Sequence, residues 1–266
     1  MVESRLSRVV LRVLAWLTIG FIWAPLLVIA IYAFNASRSQ SWPIRGLTLE
    51  WFGRAAADDG VREAILASVL AAAGATIIAL VLGTLVAIAV ARFRFFGRDT
   101  ISFLVVLPIA LPGVVTGMAL GTTFRTFGID LGLATVIVGH ATFCVVLAYN
   151  NVVARLRRLS KSYEEASMDL GADTWVTFRR ILLPGIRSAL LSGGLLAFAL
   201  SFDEVIVTSF TAGAGVQTVP LWVLANFSRP NAIPVVNVVA LALVIVSIVP
   251  VYLAQRFGGD AVAVTR

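Results

Sequence analysis

Two carboxylates stand side by side in an apolar stretch, Asp203 and Glu204 in ALSFDEVIVTSF. A carboxylate inside a bilayer is costly, so its presence points by default to function. No lysine or arginine lies within the stretch to neutralise the pair. The chemistry on offer is attraction of a cation along a wetted path. The bland alternative is a structural pair, or helix-end residues wetted from outside. His140, in GHATFCVVLAYNN, is the one histidine. It reads either as a proton relay or ligand contact, or as a histidine hydrogen-bonded between helices. Asn150 and Asn151 of the same stretch read as packing glue. Phe202 beside the carboxylates and Trp222 in VPLWVLANF complete the residues expected along a solute path.

Other chemistries lack their parts. There is no GxxxxGK[ST] phosphate loop, so the chain is not expected to bind ATP by itself. There is no HExxH and no Cys/His cluster with metal spacing, so neither a metal nor a cofactor is expected on this chain. One histidine and one cysteine, Cys144, are poor material for a nucleophilic site, and Cys144 allows no internal disulfide. An enzyme is not expected.

The elements that must carry these residues are membrane helices. Apolar residues make up 59% of the 266, and charged residues 13%. Several apolar runs reach the ~20 residues that cross a ~30 Å hydrocarbon core. Six spans are predicted, at Val9–Phe34, Ala64–Ala91, Ile101–Phe124, Leu131–Ala154, Ile186–Phe210 and Val235–Ala254. The fold class is an all-α polytopic bundle, one transmembrane domain over residues 1–266. The first run is longer than a signal peptide's apolar core, so it reads as a retained span.

Arginines set the orientation. Arg5, Arg8, Arg12, Arg92, Arg94, Arg98, Arg155, Arg157, Arg158, Lys161, Arg179, Arg180, Arg187 and Arg256 fall on one side of a six-span chain. That side is expected to be cytoplasmic, with both termini on it and the chain crossing a plasma (inner) membrane several times. The same clustering beside spans accounts for the net charge of +7 without nucleic acid. Trp42, Trp51, Phe52, Trp222 and Phe227 lie in outer loops, where interfacial anchoring is the common role. VPLWVLANF is also apolar enough for a short half-helix dipping toward the bilayer.

On this reading Asp203 lies ~25 Å along the fifth span and His140 ~13 Å below the outer end of the fourth, at similar depth. Consecutive helical residues diverge by ~100°, so Asp203 and Glu204 cannot face one direction. In the third span Pro108 and Pro112 are four apart and share a helix face, each removing a backbone donor. Gly113, Gly117 and Gly121 follow at four-residue spacing and invite a close helix neighbour, or a hinge.

Between the fourth and fifth spans lies a polar segment, about 160–185. A short helix is predicted between Ser160 and Gly171, capped by Ser162, with Glu164 and Glu165 in the first turn where the dipole favours anions. Met168 and Leu170 offer apolar contacts and Gly171 a stop. A second helical stretch starts at Asp173 and carries Trp175, Phe178 and Ile181; Pro184 is expected to break it before the fifth span. Two short helices joined by a glycine make a rigid knob. The alternative is an interfacial helix on lipid, which Arg179 and Arg180 favour and the acidic first half opposes.

Glu165-Ala166-Ser167, three residues, Gly171, nine residues, Ile181, one residue, then Leu183-Pro184 resembles the EAA loop of ABC importer permeases. The one departure is serine at the third position. The segments PIALPGVVTG, GHATFC, KSYEEASMDLGA and FALSFDEVIVTSF resemble the spermidine/putrescine-type permeases, the second permease of such importers in particular. The resemblance implies that Glu164, Glu165, Ala166, Ser167, Leu170, Gly171, Ala172 and Pro184 form or shape a coupling helix seated on a separate ATPase. ATP and magnesium would then belong to that partner. It further implies a second permease, two ATP-binding subunits and an extracytoplasmic solute-binding protein. The solute would be small and cationic, such as a polyamine. Opines, phosphonates or amino-acid derivatives are the alternatives, and a self-contained secondary transporter is the rival class.

Overall fold

The computed structural model describes residues 5–258. Both chain termini, whose side of the membrane the sequence reading assigns, lie outside the described residues. The elements are α1 (Arg5–Ala33), α2 (Glu50–Ala57), α3 (Asp59–Arg92), α4 (Arg98–Ala110), α5 (Gly113–Thr126), α6 (Leu133–Arg158), α7 (Ser162–Asp169), α8 (Thr174–Thr177), a π-helical turn (Phe178–Leu182), α9 (Leu183–Phe202), α10 (Ile206–Thr211), α11 (Val219–Phe227) and α12 (Ile233–Gly258). Among the described residues there is no strand, only the isolated bridge between Asn35 and Leu47. Five helical runs are long and apolar enough to cross a bilayer, in α1, α3, α6, Thr174–Phe202 and α12. The bent pair α4–α5 passes the same test together, as a sixth.

The chain packs as two units. One holds the residues up to Arg62 together with Trp222–Ile245. Here the Trp51 indole N–H donates to the Asn35 carbonyl at 2.8 Å, and the Arg54 guanidinium lies over the Trp51 ring. Phe34 and Phe52 rings meet at 4.9 Å, and Gln40 donates to the Asn237 side chain at 3.2 Å. The interfacial reading fits exposed Trp42 and Phe227 but not Trp51 or Trp222, which are buried. An indole with its N–H satisfied inside protein is a packing residue.

The second unit holds Glu63–Leu221 and the chain from Val246 on. Its core is α6, flanked by α3 and α9. Small residues bring the backbones close. A Cβ on Gly83 of α3 would stand 2.8 Å from Cβ of Ala148, and one on Gly193 of α9 would stand 3.3 Å from Cα of the same alanine. In lipid, where there is no hydrophobic drive between helices, this close packing holds them together. Below it, Ala87, Val90, Tyr149, Val152, Leu156, Leu182 and Ile186 form a buried cluster toward the Arg158 end.

Two expectations of straight helix are overturned. The third span is not one helix with Pro108 and Pro112 on a shared face: it bends by 103° between α4 and α5. Leu111 is extended, at φ −82° and ψ 143°, as the residue before a proline prefers. Pro112 then serves as the N-cap of α5, where its missing N–H costs nothing. The fifth span also stops, at Phe202, and resumes as α10. The reverse holds at Pro184, which breaks nothing: one helix runs from Thr174 to Phe202. The π-helical turn just before it, with Leu183 N–H donating to Phe178 O, gives the ring room, and Pro184 enters in the first turn of α9.

Candidate functional site

The polar segment folds as one short helix, α7, turned at Gly171 onto α8, which is the start of the long helix to Phe202 rather than a second separate one. Helix α7 ends in a paired turn: Ala172 N–H donates to Ser167 O and Gly171 N–H to Met168 O. Gly171 has φ +85°, the left-handed conformation that such an ending needs and that glycine adopts without strain. Asp173 caps α8, its carboxylate accepting from Val176 N–H at 2.7 Å. Ser162 is not the cap of α7. That position falls to Lys161, and Ser162 N–H instead donates to the Ser160 hydroxyl.

The adjacent carboxylates of α7 diverge. Glu164 turns inward to Arg92 at the end of α3, with Oε1 2.7 Å from Nε. The N–H is not aligned with that oxygen, so the contact is an ion pair rather than a straight hydrogen bond. Glu165 is exposed, as are Ala166 and Leu170, the last at 89%. Ala172 is half-buried. Ser167, the departure from the EAA pattern, puts its hydroxyl 3.1 Å from that of Thr177, which is buried. The serine therefore ties α7 to α8 where an alanine could not. Trp175 and Phe178 rings stack at 5.6 Å beside it.

The carboxylates Asp203 and Glu204 sit at the break between α9 and α10, so the helical-divergence argument does not apply to them. Glu204 is committed: its carboxylate accepts from the N–H groups of Ile206 and Val207 at 2.7 and 2.9 Å, closing the first turn of α10. Asp203 ends α9 and is exposed, with no hydrogen bond or ion pair to its carboxylate among the described residues. Phe202 is buried and stacks on Phe198 at 5.9 Å, so its ring faces its own chain.

His140 spans the break. Nδ1 lies 2.7 Å from the Ser201 hydroxyl of α9, and Nε2 lies 2.8 Å from the Thr208 hydroxyl of α10. The Thr208 hydroxyl also donates to the Glu204 carbonyl at 2.8 Å. Both ring nitrogens are engaged and the residue is fully buried. This is the interhelical histidine of the two sequence readings. A second tie, from the Thr135 hydroxyl to the Thr211 carbonyl at 2.8 Å, holds the far end of α10 to α6.

Helix α10 packs on the glycines of α5. A Cβ on Gly113 would make ordinary contact with Ile206 at 3.6 Å. On Gly117 it would meet the Phe210 ring at 2.7 Å, and on Gly121 the Phe210 carbonyl oxygen at 2.5 Å. Pro108 lies within α4, whose residues are all exposed or half-buried. Trp222 belongs to the other unit, on the short helix α11, with its indole nitrogen beside Gly60.

Sequence reading counted Arg92 only as a flanking charge and passed over Ser201 and Thr208. Their partners lie 61 to 72 residues away in sequence, and no local pattern marks them. The sequence reading started the second helix at Asp173 without assigning it as the cap, although an aspartate three residues before the amide it accepts from is a local signal for one.

Comparisons with known proteins agree with this architecture. Residues 79–259 match the family described as binding-protein-dependent transport system inner membrane component. The chain is 36% identical over 248 residues to the putrescine transport system permease protein PotI of Escherichia coli (strain K12), covering 89% of this chain and 87% of that one. It is 31% identical over 237 residues to the spermidine/putrescine transport system permease protein PotC of Haemophilus influenzae, covering 89% and 91%. The fold is shared with a bacterial ABC transporter involved in the import of the acidic polysaccharide alginate, at a TM-score of 0.72 and 18% identity over 96% of this chain and 99% of that chain. The chain belongs to the binding-protein-dependent transport system inner membrane components, the permease subunits of ATP-binding-cassette importers.

Proposed function

We propose that this permease carries a polyamine of the putrescine or spermidine class into the cytoplasm. It would work beside a second permease, two ATP-hydrolysing subunits and a solute-binding protein outside. ATP and magnesium would be held by the hydrolysing subunits. The substrate class rests on the 36% and 31% identities to polyamine permeases over 89% of the chain. The free carboxylate of Asp203, in a chain otherwise rich in cations, is in keeping with a cationic solute.

The observation that carries the coupling role is the surface of the knob. Tyr163, Met168, Leu170 and Trp175 stand 63, 48, 89 and 65% exposed on a segment braced from within. Large apolar side chains held outward on a rigid polar element mark a protein contact. Glu165 beside them offers a free charge, and Gly171 sets the turn between α7 and α8. With the arginine-rich ends of the helices inside, the knob and both termini face the cytoplasm, where the ATPases are.

The reading is tested in the reconstituted importer. Glu165→Arg is expected to abolish solute-stimulated ATP hydrolysis while the permease pair still assembles. Asp203→Asn is expected to weaken putrescine uptake several-fold with assembly intact. Unchanged uptake of putrescine in that variant, or transport of a phosphonate in preference to it, overturns the substrate assignment. Uptake by this chain alone, indifferent to ATP, overturns the coupling assignment.

A further inference from the structure

Arg92 ends α3, and its side chain makes contacts on three sides. Nη1 donates to the Leu156 carbonyl at 3.2 Å and Nη2 to the Leu159 carbonyl at 3.3 Å. These belong to the last turn and C-cap of α6, where backbone acceptors have lost their helical partners. Nε faces the Glu164 carboxylate of α7. In return the Lys161 ammonium donates to the Arg92 carbonyl at 3.4 Å, closing the end of α3. The pair is sheltered, with side chains 9 and 19% exposed, so water screens it little. It also walls a cleft of about 350 Å³ between the end of α3 and the knob.

A planar guanidinium that donates to two carbonyls in fixed directions and pairs with a carboxylate on its other side holds α6 and α7 at once, a fork that an ammonium lacks. Without it, α7 would be joined to α6 by the three residues between them, to α8 through the Ser167–Thr177 hydroxyls, and to the end of α3 through the Lys161 ammonium alone. We infer that Arg92 is a positioning residue for coupling, a clasp through Glu164 that makes α3 and α6 move as one with the knob. This inference rests on the reading of the knob as the seat of the ATPase. It adds α3 to the helices on which ATP-driven movement of that seat acts.

The test uses the complete importer in proteoliposomes, with putrescine as solute, and reads solute moved per ATP hydrolysed. Copurification of the subunits serves as the control for assembly. Glu164→Gln removes one charge and Arg92→Gln the other while keeping an N–H donor. Each is expected to lower the ratio at least threefold with assembly unchanged, and the double variant is expected to be no worse than the poorer single one. Glu164→Asp, which keeps the charge and shortens the reach, is the reserve variant and must also lower the ratio. A wild-type ratio in these variants, or losses that multiply in the double one, overturns the clasp. Glu165→Arg separates the two failures. If it is defective while the clasp variants are normal, the knob docks and the clasp does not matter. If it too is normal, the docking reading falls and takes the clasp with it.

Discussion

Adding one methyl group along α5 yields a graded series whose order the structure sets in advance. Gly113, Gly117 and Gly121 all face α10, but they meet different atoms. At Gly113 a Cβ makes an ordinary contact at 3.6 Å, so Gly113→Ala is expected to be near neutral. At Gly117 the closest atom, 2.7 Å away, is at the edge of the Phe210 ring, which can rotate, although Cα of Val207 follows at 3.2 Å. At Gly121 the obstacle is the Phe210 backbone oxygen at 2.5 Å, which cannot move without its helix. Restoring a contact of 3.4 Å requires α10 to withdraw by roughly 0.9 Å, the difference between the two distances. That shift disturbs the contact between Thr208 and His140, now 2.8 Å apart. Overpacking of this kind costs about 1–3 kcal/mol. Against it stands a gain of up to about 1 kcal/mol from replacing a helical glycine by alanine. Net losses of about 0, 1 and 2 kcal/mol are expected for Gly113→Ala, Gly117→Ala and Gly121→Ala. The assay is the thermal midpoint of the detergent-solubilised permease, read by tryptophan fluorescence. A Gly121→Ala protein as stable as Gly113→Ala would refute the packing argument.

Ser167→Ala removes the hydroxyl pair between α7 and α8; a loss of about 1 kcal/mol confined to the knob is expected, seen as faster amide exchange over residues 167–177. His140→Leu strips two hydrogen bonds from the break and takes the partner from the Ser201 hydroxyl, while Thr208 keeps its bond to the Glu204 carbonyl, so the thermal midpoint should fall by the equivalent of about 1–3 kcal/mol. Glu204→Gln weakens the cap of α10 and should lower stability by about 1 kcal/mol, more than Asp203→Asn does, while Asp203→Asn should impair putrescine uptake more; the opposite ranking in thermal and uptake assays would reverse the two roles. Gly171→Val forces a β-branched residue to φ +85° and should cost about 2 kcal/mol or more of knob stability, again measured by amide exchange.

The helices were legible because apolar length fixes a span and little else competes with it. The positions of the breaks were not. Leu-Pro at 111–112 announces an interruption, but its 103° angle depends on what α5 packs against. The break after Phe202 left no apolar gap, since VIVTSF continues the run beyond it. Only the carboxylates marked the place, and they were legible as costly groups rather than as a cap and a free end. The knob was legible to within a residue or two because its signals are local: a glycine, an aspartate and charges near the helix start. What braces it was not, because Arg92 and Glu164 meet only after α3 and α6 have packed.

Ala148 lies pinched between Gly83 of α3 and Gly193 of α9. With a single methyl between backbones, the three helices interlock there and cannot slide past one another. Arg158, next to the knob, lies ~15 Å from Ala148 along α6, and His140 ~12 Å away on the other side. A displacement taken up at the knob would therefore carry α3, α6 and α9 together as one block, with the broken helix tied to it through His140. Rocking of such a block is the kind of motion that alternating access uses.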